Sequence, residues 1–299
     1  MAEDDRVKIA VVGATGFVGS HLVAHLIERG HRAIAISRDG RRLPAWDDSV
    51  EARAADVTGD LDAALDDADA VVHLAAIPRE TRGRTFDAVN VRGTQNTVSA
   101  AERAGIGRFV HLSAIGVTDD PKLGYLSSKW HGEQAVRASA LDWVVLRPSL
   151  LFGAGDGFFN LVKTTLRWWS PGIVAIPGRG DTRFQPLSVD DLAIGIEKSL
   201  TDPAHVRSVH ELGGPDWMTY REIVDEVMRA TGMRRLKVGL PIPLISALTA
   251  VTDRLLPIFP VSHDQIGSLG RPNATDRDAF ERAFGVGPRP FDVSYLADR

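Results

Sequence analysis

The sequence predicts an α/β protein built on a doubly wound parallel sheet, with a smaller lobe formed by its C-terminal part. Three observations predict it. Short β-branched runs alternate with longer helical patterns through the first half of the chain, as they do when crossover helices connect parallel strands. The early strands are apolar on both faces, as in Ile9-Ala10-Val11-Val12, which suits a sheet covered by helices on each side. Beyond Pro148 the alternation gives way to loop signals, with Gly153, Gly155, Gly157, Pro171, Gly172, Pro177, Gly178 and Gly180.

In chain order, residues 7–12, 32–37, 50–54, 70–74, 108–112 and 143–146 read as strands. Helices are expected at 17–29, 61–67, 84–103 and 123–138, and later at 189–200 and 220–231. Residues 1–150 and 186–212 are expected to form the sheet domain. Residues 151–185 and 213–299 are then left for the smaller lobe on the substrate side. No internal repeat or low-complexity tract is evident.

Composition narrows the function. A chain of 299 residues with 44% hydrophobic content buries a core without staples. A net charge of -4, with both signs mixed along the chain, provides no field for nucleic acid. The absence of cysteine excludes disulfides, thiolate nucleophiles and cysteine-ligated zinc. Residues 1–6 are acidic and lead straight into a strand, unlike a signal or transit peptide, so a cytoplasmic location is the default. The apolar stretch 236–261 is broken by Pro241, Pro243, Pro257 and Pro260 and carries Asp253 and Arg254, so it falls short of the ~20 residues that cross a bilayer. It reads as a core or docking helix, with peripheral membrane or partner contact as the second reading.

The first strand is followed at once by Gly13-Ala14-Thr15-Gly16-Phe17-Val18-Gly19 and a helical run. Glycines there let the backbone turn sharply and approach a pyrophosphate, whose charge sits at the positive end of the helix. This is the dinucleotide-binding turn of a Rossmann unit, with the spacing Gly-x-x-Gly-x-x-Gly. In NAD-binding versions an acidic residue ~20 positions on accepts the adenosine ribose. Here the second strand ends in Ser37-Arg38, with Arg41 and Arg42 just beyond. A carboxylate would repel a 2′-phosphate and a guanidinium pairs with it, so NADP is inferred over NAD. The plainer alternative is that these arginines form a solvated face.

These motifs resemble the short-chain dehydrogenase/reductase superfamily, in its extended and atypical branches, over nearly the whole chain. The resemblance implies that Asp56-Val57 meets the adenine and that Leu74-Ala75-Ala76, after His73, walls the cofactor. Asn90-Val91-Arg92-Gly93-Thr94-Gln95-Asn96 matches the following helix, which places Asn90 at the cofactor. Tyr125-Leu126-Ser127-Ser128-Lys129 matches the Tyr-x-x-x-Lys of the family, and Arg147-Pro148-Ser149, with Phe152-Gly153 soon after, the turn toward the nicotinamide. A closer resemblance, to the atypical subgroup containing the NADPH-binding accessory subunit of respiratory complex I and its epimerase-labelled bacterial relatives, rests on three segments. These are residues 152–160, residues 185–193, and the proline-flanked apolar stretch before Asp264-Gln265. It implies membership of a larger assembly or a homo-oligomer.

Four residues apart on a helix, Tyr125 and Lys129 point from one face. In the family the lysine holds the ribose, and its charge helps the tyrosine exchange a proton while hydride moves. A hydroxyl beside the tyrosine completes the set, but the usual position falls on Ile115. Ser113 is two residues earlier and shares that direction only while the strand stays regular, with residues 114–124 a short connection to Tyr125. Ser113 is thus either the donor to a substrate oxygen or a polar strand end without chemistry. The histidines around the first helix, His21, His25 and His31, read as surface or packing residues, and no metal site is expected. Trp168-Trp169 reads as a core and surface pair or as a pocket floor. Arg183 with Arg179 reads as loop arginines or as a site for a polar substrate group. Two functions compete: an NADP-dependent oxidoreductase or epimerase acting on a small carbonyl or nucleotide sugar, and an NADPH-holding accessory or regulatory protein. A redox sensor is a third.

Overall fold

The computed structural model describes residues 7–169, 172–241, 243 and 271–297. The chain divides into two compact units: Met1–Arg147 with Val189–His210, and Pro148–Ser188 with Glu211–Arg299.

The first unit carries the sheet. Strands β1 (Lys8–Val12), β2 (Arg32–Ser37), β3 (Val50–Ala54), β4 (Ala70–His73), β5 (Arg108–Leu112) and β6 (Asp142–Pro148) pair in parallel. The strand Ser208–Leu212 adds the seventh, and the order is Ser208–Leu212, β6, β5, β4, β1, β2, β3. The order reverses between β1 and β4, and open sheets of this kind receive ligands beyond the carboxyl ends of the strands at that point.

Helices α1 (Phe17–Glu28), α2 (Asp62–Leu65), α3 (Gly93–Arg103) and α4 (Gly124–Ala138) connect the strands. Val12, Ile36, Val71, Phe109 and Val145 from one face of the sheet pack with Leu65, Val98 and Val136 of α2, α3 and α4. Residues pointing the other way, such as Ile9, Val11, Val72 and Val110, are buried as completely. Both faces are therefore covered, which is why the strands carry no polar alternation. On the far face α1 meets the helix Val189–Thr201. There His25 and Arg29 hold the Glu197 carboxylate at 2.7 and 3.0 Å and keep it at about 2 against the upward push of burial. His21 lies 2.9 Å from Asp190, so these histidines tie two helices together.

The helix expected over 84–103 is not continuous. A π-turn occupies Asp87–Arg92 and only then does α3 begin. The widened turn brings Asn90 to the loop after β4, where its side chain accepts from Ile77 N at 2.8 Å and donates to Ile77 O at 3.1 Å. Gly93 then passes so near α2 and its approach that a Cβ would lie 2.7 Å from Val57 Cγ2.

The second unit has its own core, with Phe152, Phe159, Ile176, Phe184, Val224 and Val227 among its buried residues. Three strand pairs frame it: Leu151–Phe152 with Leu187–Ser188, Ile173–Pro177 with Leu236–Leu240, and Arg183–Phe184 with Met218–Thr219. The helix Tyr220–Thr231 opens with a reciprocal Thr219/Glu222 capping box and ends at Gly232 in the left-handed region. The proline-flanked stretch before Asp264-Gln265 lies outside the described residues.

Candidate functional site

The turn after β1 depends on two glycines. Gly13 has φ +94°, and a Cβ there would lie 3.0 Å from the backbone nitrogen of Ala75, so only glycine lets the turn run against the loop after β4. A Cβ on Gly19 would meet Gly13 O at 2.3 Å, which makes Gly19 the packing glycine of α1. Gly16 is extended and exposed, with Gly13 O at 3.2 Å from an added Cβ. Gly13 N and Ala14 N both donate to Ile36 O, at 2.9 and 3.2 Å, and fasten the turn to β2. No side chain caps α1, so its first N–H groups remain available to an anion.

Beside this turn is a cavity of about 400 Å³, contained within the first unit. Gly13, Thr15 and Gly16 line it from the turn, and Ser37 and Arg38 from the end of β2. Asp56 and Val57 contribute after β3, and Leu74, Ala75 and Ala76 after β4. Thr81 and Arg84 also line it, which sequence reasoning missed. They stand on a small hairpin closed by the Thr81–Arg84 bridge, in a connection that no motif marks. Phe17, Val18 and Gly19 form the first turn of α1 without lining the cavity.

The three arginines after β2 have different fates. Arg38 is exposed and makes no hydrogen bond or ion pair among the described residues. Arg41 faces Asp39 at 3.8 Å. Arg42 is spent on the carbonyls of Val50 and Asp47, both at 2.6 Å. Ser37 Oγ donates to Asp39 Oδ1 at 3.1 Å. Asp56 receives Arg84 Nη1 at 2.8 Å and Thr58 N at 3.0 Å. Burial raises its carboxyl, but the Thr58 amide and the Arg84 guanidinium outweigh that and leave it below the usual carboxylate range.

Two of the other expected residues, Tyr125 and Lys129, stand on α4. Tyr125 is partly buried against Phe86, with ring centroids 6.1 Å apart, and desolvation pushes its phenol up. Its hydroxyl makes no hydrogen bond among the described residues. Lys129 is 5% exposed and donates to the Leu112 carbonyl. Burial pushes its ammonium down to about 8, partly offset by Glu133. Beneath it His73 and His111, register partners on β4 and β5, stack at 5.5 Å. Burial first, then the Lys129 charge, pushes His73 down to about 3 and His111 well below its ordinary value.

Ser113 does not turn its proton toward Tyr125. Its Oγ donates to Glu133 Oε2 at 2.9 Å, and Ile115, at the usual hydroxyl position, is buried. Arg147 donates to the same carboxylate from Nε and Nη2, at 3.0 and 2.7 Å. Asn90 braces the loop after β4 and donates to Ser128 Oγ at 2.9 Å. Pro148 ends β6, and Ser149 Oγ donates to Asn273 and accepts from Gln185 N at 3.1 Å. None of these lines the cavity. In the second unit Arg179 faces Asp181, and Arg183 lies over the Trp217 ring at 5.5 Å. The Trp168 and Trp169 side chains lie outside the described residues. Among the described residues no cluster of three or more His, Cys, Asp or Glu is placed to hold a metal, and no helix is long and apolar enough to cross a membrane.

A turn that only glycine can make, an uncapped helix start and an unpaired guanidinium around one cavity fit a nicotinamide dinucleotide. A family model described as NAD(P)H-binding matches residues 13–164. The chain belongs to this NAD(P)H-binding family. It is a member of the atypical short-chain dehydrogenase/reductase superfamily, as the motifs implied, and its homologues include reductases. The ceramide reductase of Caulobacter vibrioides is 32% identical over 85% of this chain and 80% of its own. Subunit 9 of the NADH dehydrogenase [ubiquinone] 1 alpha subcomplex of Arabidopsis thaliana is 27% identical over 90% of this chain and 69% of its own. Among solved structures, MoeE5 in complex with UDP-glucuronic acid and NAD shares the fold at a TM-score of 0.72, with 24% identity over 95% of this chain and 94% of that one.

Proposed function

We propose that this NAD(P)H-binding protein is an NADP(H)-dependent oxidoreductase that reduces a small carbonyl compound slowly. The observation that carries the reading is the placement of Tyr125 and Lys129 on one face of α4, in the same unit as the glycine-turn cavity. Bound at that cavity, the nicotinamide supplies the hydride. Gly13, Thr15 and Gly16 with the start of α1 hold the pyrophosphate, Arg38 the 2′-phosphate, and Asp56 and Val57 the adenine. Leu74, Ala75 and Ala76 wall it. Desolvation keeps the Tyr125 phenol protonated, so it is loaded to give a proton to the oxygen that hydride addition leaves negative. Lys129 supplies the positive charge that steadies the resulting phenolate.

Slowness follows from what is missing beside the tyrosine. Ile115 has no hydroxyl and Ser113 gives its own to Glu133, so neither residue is free to fix the substrate oxygen. Losing one positioned donor costs roughly 100-fold or more in rate. The Caulobacter relative is named a ceramide reductase, so lipid-like ketones belong in the substrate panel, beside nucleotide sugars for an epimerase activity. The committed Ser113 hydroxyl also favours a second reading, an NADPH-holding accessory protein of the kind its complex I relative represents.

Stopped-flow absorbance of bound NADPH against ketones, quinones and nucleotide sugars decides. The proposal expects oxidation well under the ~10 per second of an ordinary enzyme, lowered further by Tyr125→Phe with cofactor affinity kept. No oxidation with any of them supports the holder, and fast turnover indifferent to Tyr125→Phe refutes the assignment of the proton donor.

A further inference from the structure

The buried face of α4 carries two charged residues where an apolar face is the rule. Lys129 and Glu133 stand one helical turn apart on it, at 5% and 0% exposure. A carboxylate removed this completely from water is costly unless several donors share it. Here Ser113 Oγ donates at 2.9 Å, Arg147 from two nitrogens at 3.0 and 2.7 Å, and Arg137 stands at 3.5 Å. The end of β5, β6 and α4 itself therefore converge on one residue that sequence reasoning did not single out.

We propose that Glu133 is a positioning residue for proton transfer at this site: its buried carboxylate keeps Lys129 charged and holds the Ser113 hydroxyl on itself. The proposal rests on the oxidoreductase reading. Burial opposes the charge of Lys129, and the two groups beside it that feel that charge, His73 on β4 and His111 on β5, are kept neutral. Glu133, one turn further along α4, is the anion that acts on it, while Arg147 on β6 and Arg137 on α4 stand on the Glu133 carboxylate itself. An ammonium so placed keeps its proton near neutral pH because one carboxylate lies a turn away. Glu133 thereby maintains the charge that steadies Tyr125, and at the same time withdraws the Ser113 hydroxyl from the substrate. A carboxylate used only to pin Arg147 to α4 would do neither.

The test uses the full chain labelled with ε-13C lysine, following the Lys129 resonance by NMR against pH, with Lys129→Arg to assign it. The parent should titrate with a midpoint near 8, and Glu133→Gln should lower that midpoint by at least one pH unit. Glu133→Asp, which keeps the charge on a shorter stem, should stay within half a unit of the parent. The alkaline limb of NADPH oxidation should move with the midpoint in each variant. An unchanged midpoint in Glu133→Gln overturns the role of Glu133, whatever the turnover. A shifted midpoint in a protein that oxidises NADPH with no carbonyl leaves Glu133 its effect on Lys129 and refutes the oxidoreductase reading instead. If Glu133→Gln does not fold at pH 7, the double variant Arg147→Met with Glu133→Gln removes the cation that loses its direct partner, and a Lys129 midpoint in it no lower than in Arg147→Met alone overturns the proposal.

Discussion

Replacing Arg38 by alanine should separate NADPH from NADH. The guanidinium lines the cavity after β2 and makes no ion pair among the described residues, so removing it breaks nothing within the protein and takes away only what it offers a ligand. A charged hydrogen-bonded contact is worth ~1.5–3 kcal/mol, and exposure puts Arg38 at the lower end. The expected loss is ~1.5–2 kcal/mol, a 10- to 30-fold rise in the Kd for NADPH, while the Kd for NADH changes less than threefold. Isothermal titration calorimetry at low ionic strength reads both, and the gap should narrow with added salt as an exposed pair is screened. Arg42→Ala is the control, since that side chain is bonded to the Val50 and Asp47 carbonyls and should cost thermal stability without changing the cofactor preference. Equal affinities of the unmodified protein for the two cofactors, or equal losses in Arg38→Ala, would refute the assignment.

Gly16→Val should leave the fold and remove cofactor binding, because an added Cβ has only Gly13 O at 3.2 Å while the branched side chain fills the space beside the uncapped helix start; a thermal shift with NADPH as large as the parent's refutes it. Lys129→Met should raise stability at pH 7 by up to about 3 kcal/mol, since the native ammonium is pushed from 10.5 to about 8. Between those pH values the unfolded parent binds more protons than the native one, so the parent gains stability as pH rises from 8 to 10.5 and the variant does not. Urea titrations of both proteins at pH 7 and 10 check it, and parallel pH dependences exclude the depressed lysine.

The sheet was legible because strand apolarity, glycine punctuation and helical period agree along residues 7–148, and the glycine turn announces itself through residues that serve the backbone. What lay hidden has physical causes. The π-turn at Asp87–Arg92 is written in tertiary contacts, the Asn90 amide on Ile77 and Gly93 against Val57, which leave the helical period of residues 84–103 almost unchanged. Arg84 stands at the start of the helix expected over 84–103, and only the hairpin after β4 folds it onto Asp56. Glu133 lies unremarked within the helix expected over 123–138, and only the packing of β5 and β6 against α4 shows it buried with Ser113 and Arg147.

Holding a cofactor and reacting with it are carried by different elements of this unit. The cavity is made by the ends of β1, β2 and β3, the start of α1 and the loop after β4, and its constraints are backbone ones: a positive φ at Gly13, a close approach at Gly19, an uncapped helix. The proton transfer we propose would be carried by side chains of α4 and the end of β5, where Ile115 offers no hydroxyl and touches none of those constraints. Selection on the first set can therefore continue after the second has weakened. The same fold can serve a fast reductase, a slow one or a protein that only holds NADPH, with little change in affinity for the cofactor. It follows that the two readings of this chain part at Tyr125 and Lys129, whose substitution slows NADPH oxidation in an oxidoreductase and changes no turnover in a holder.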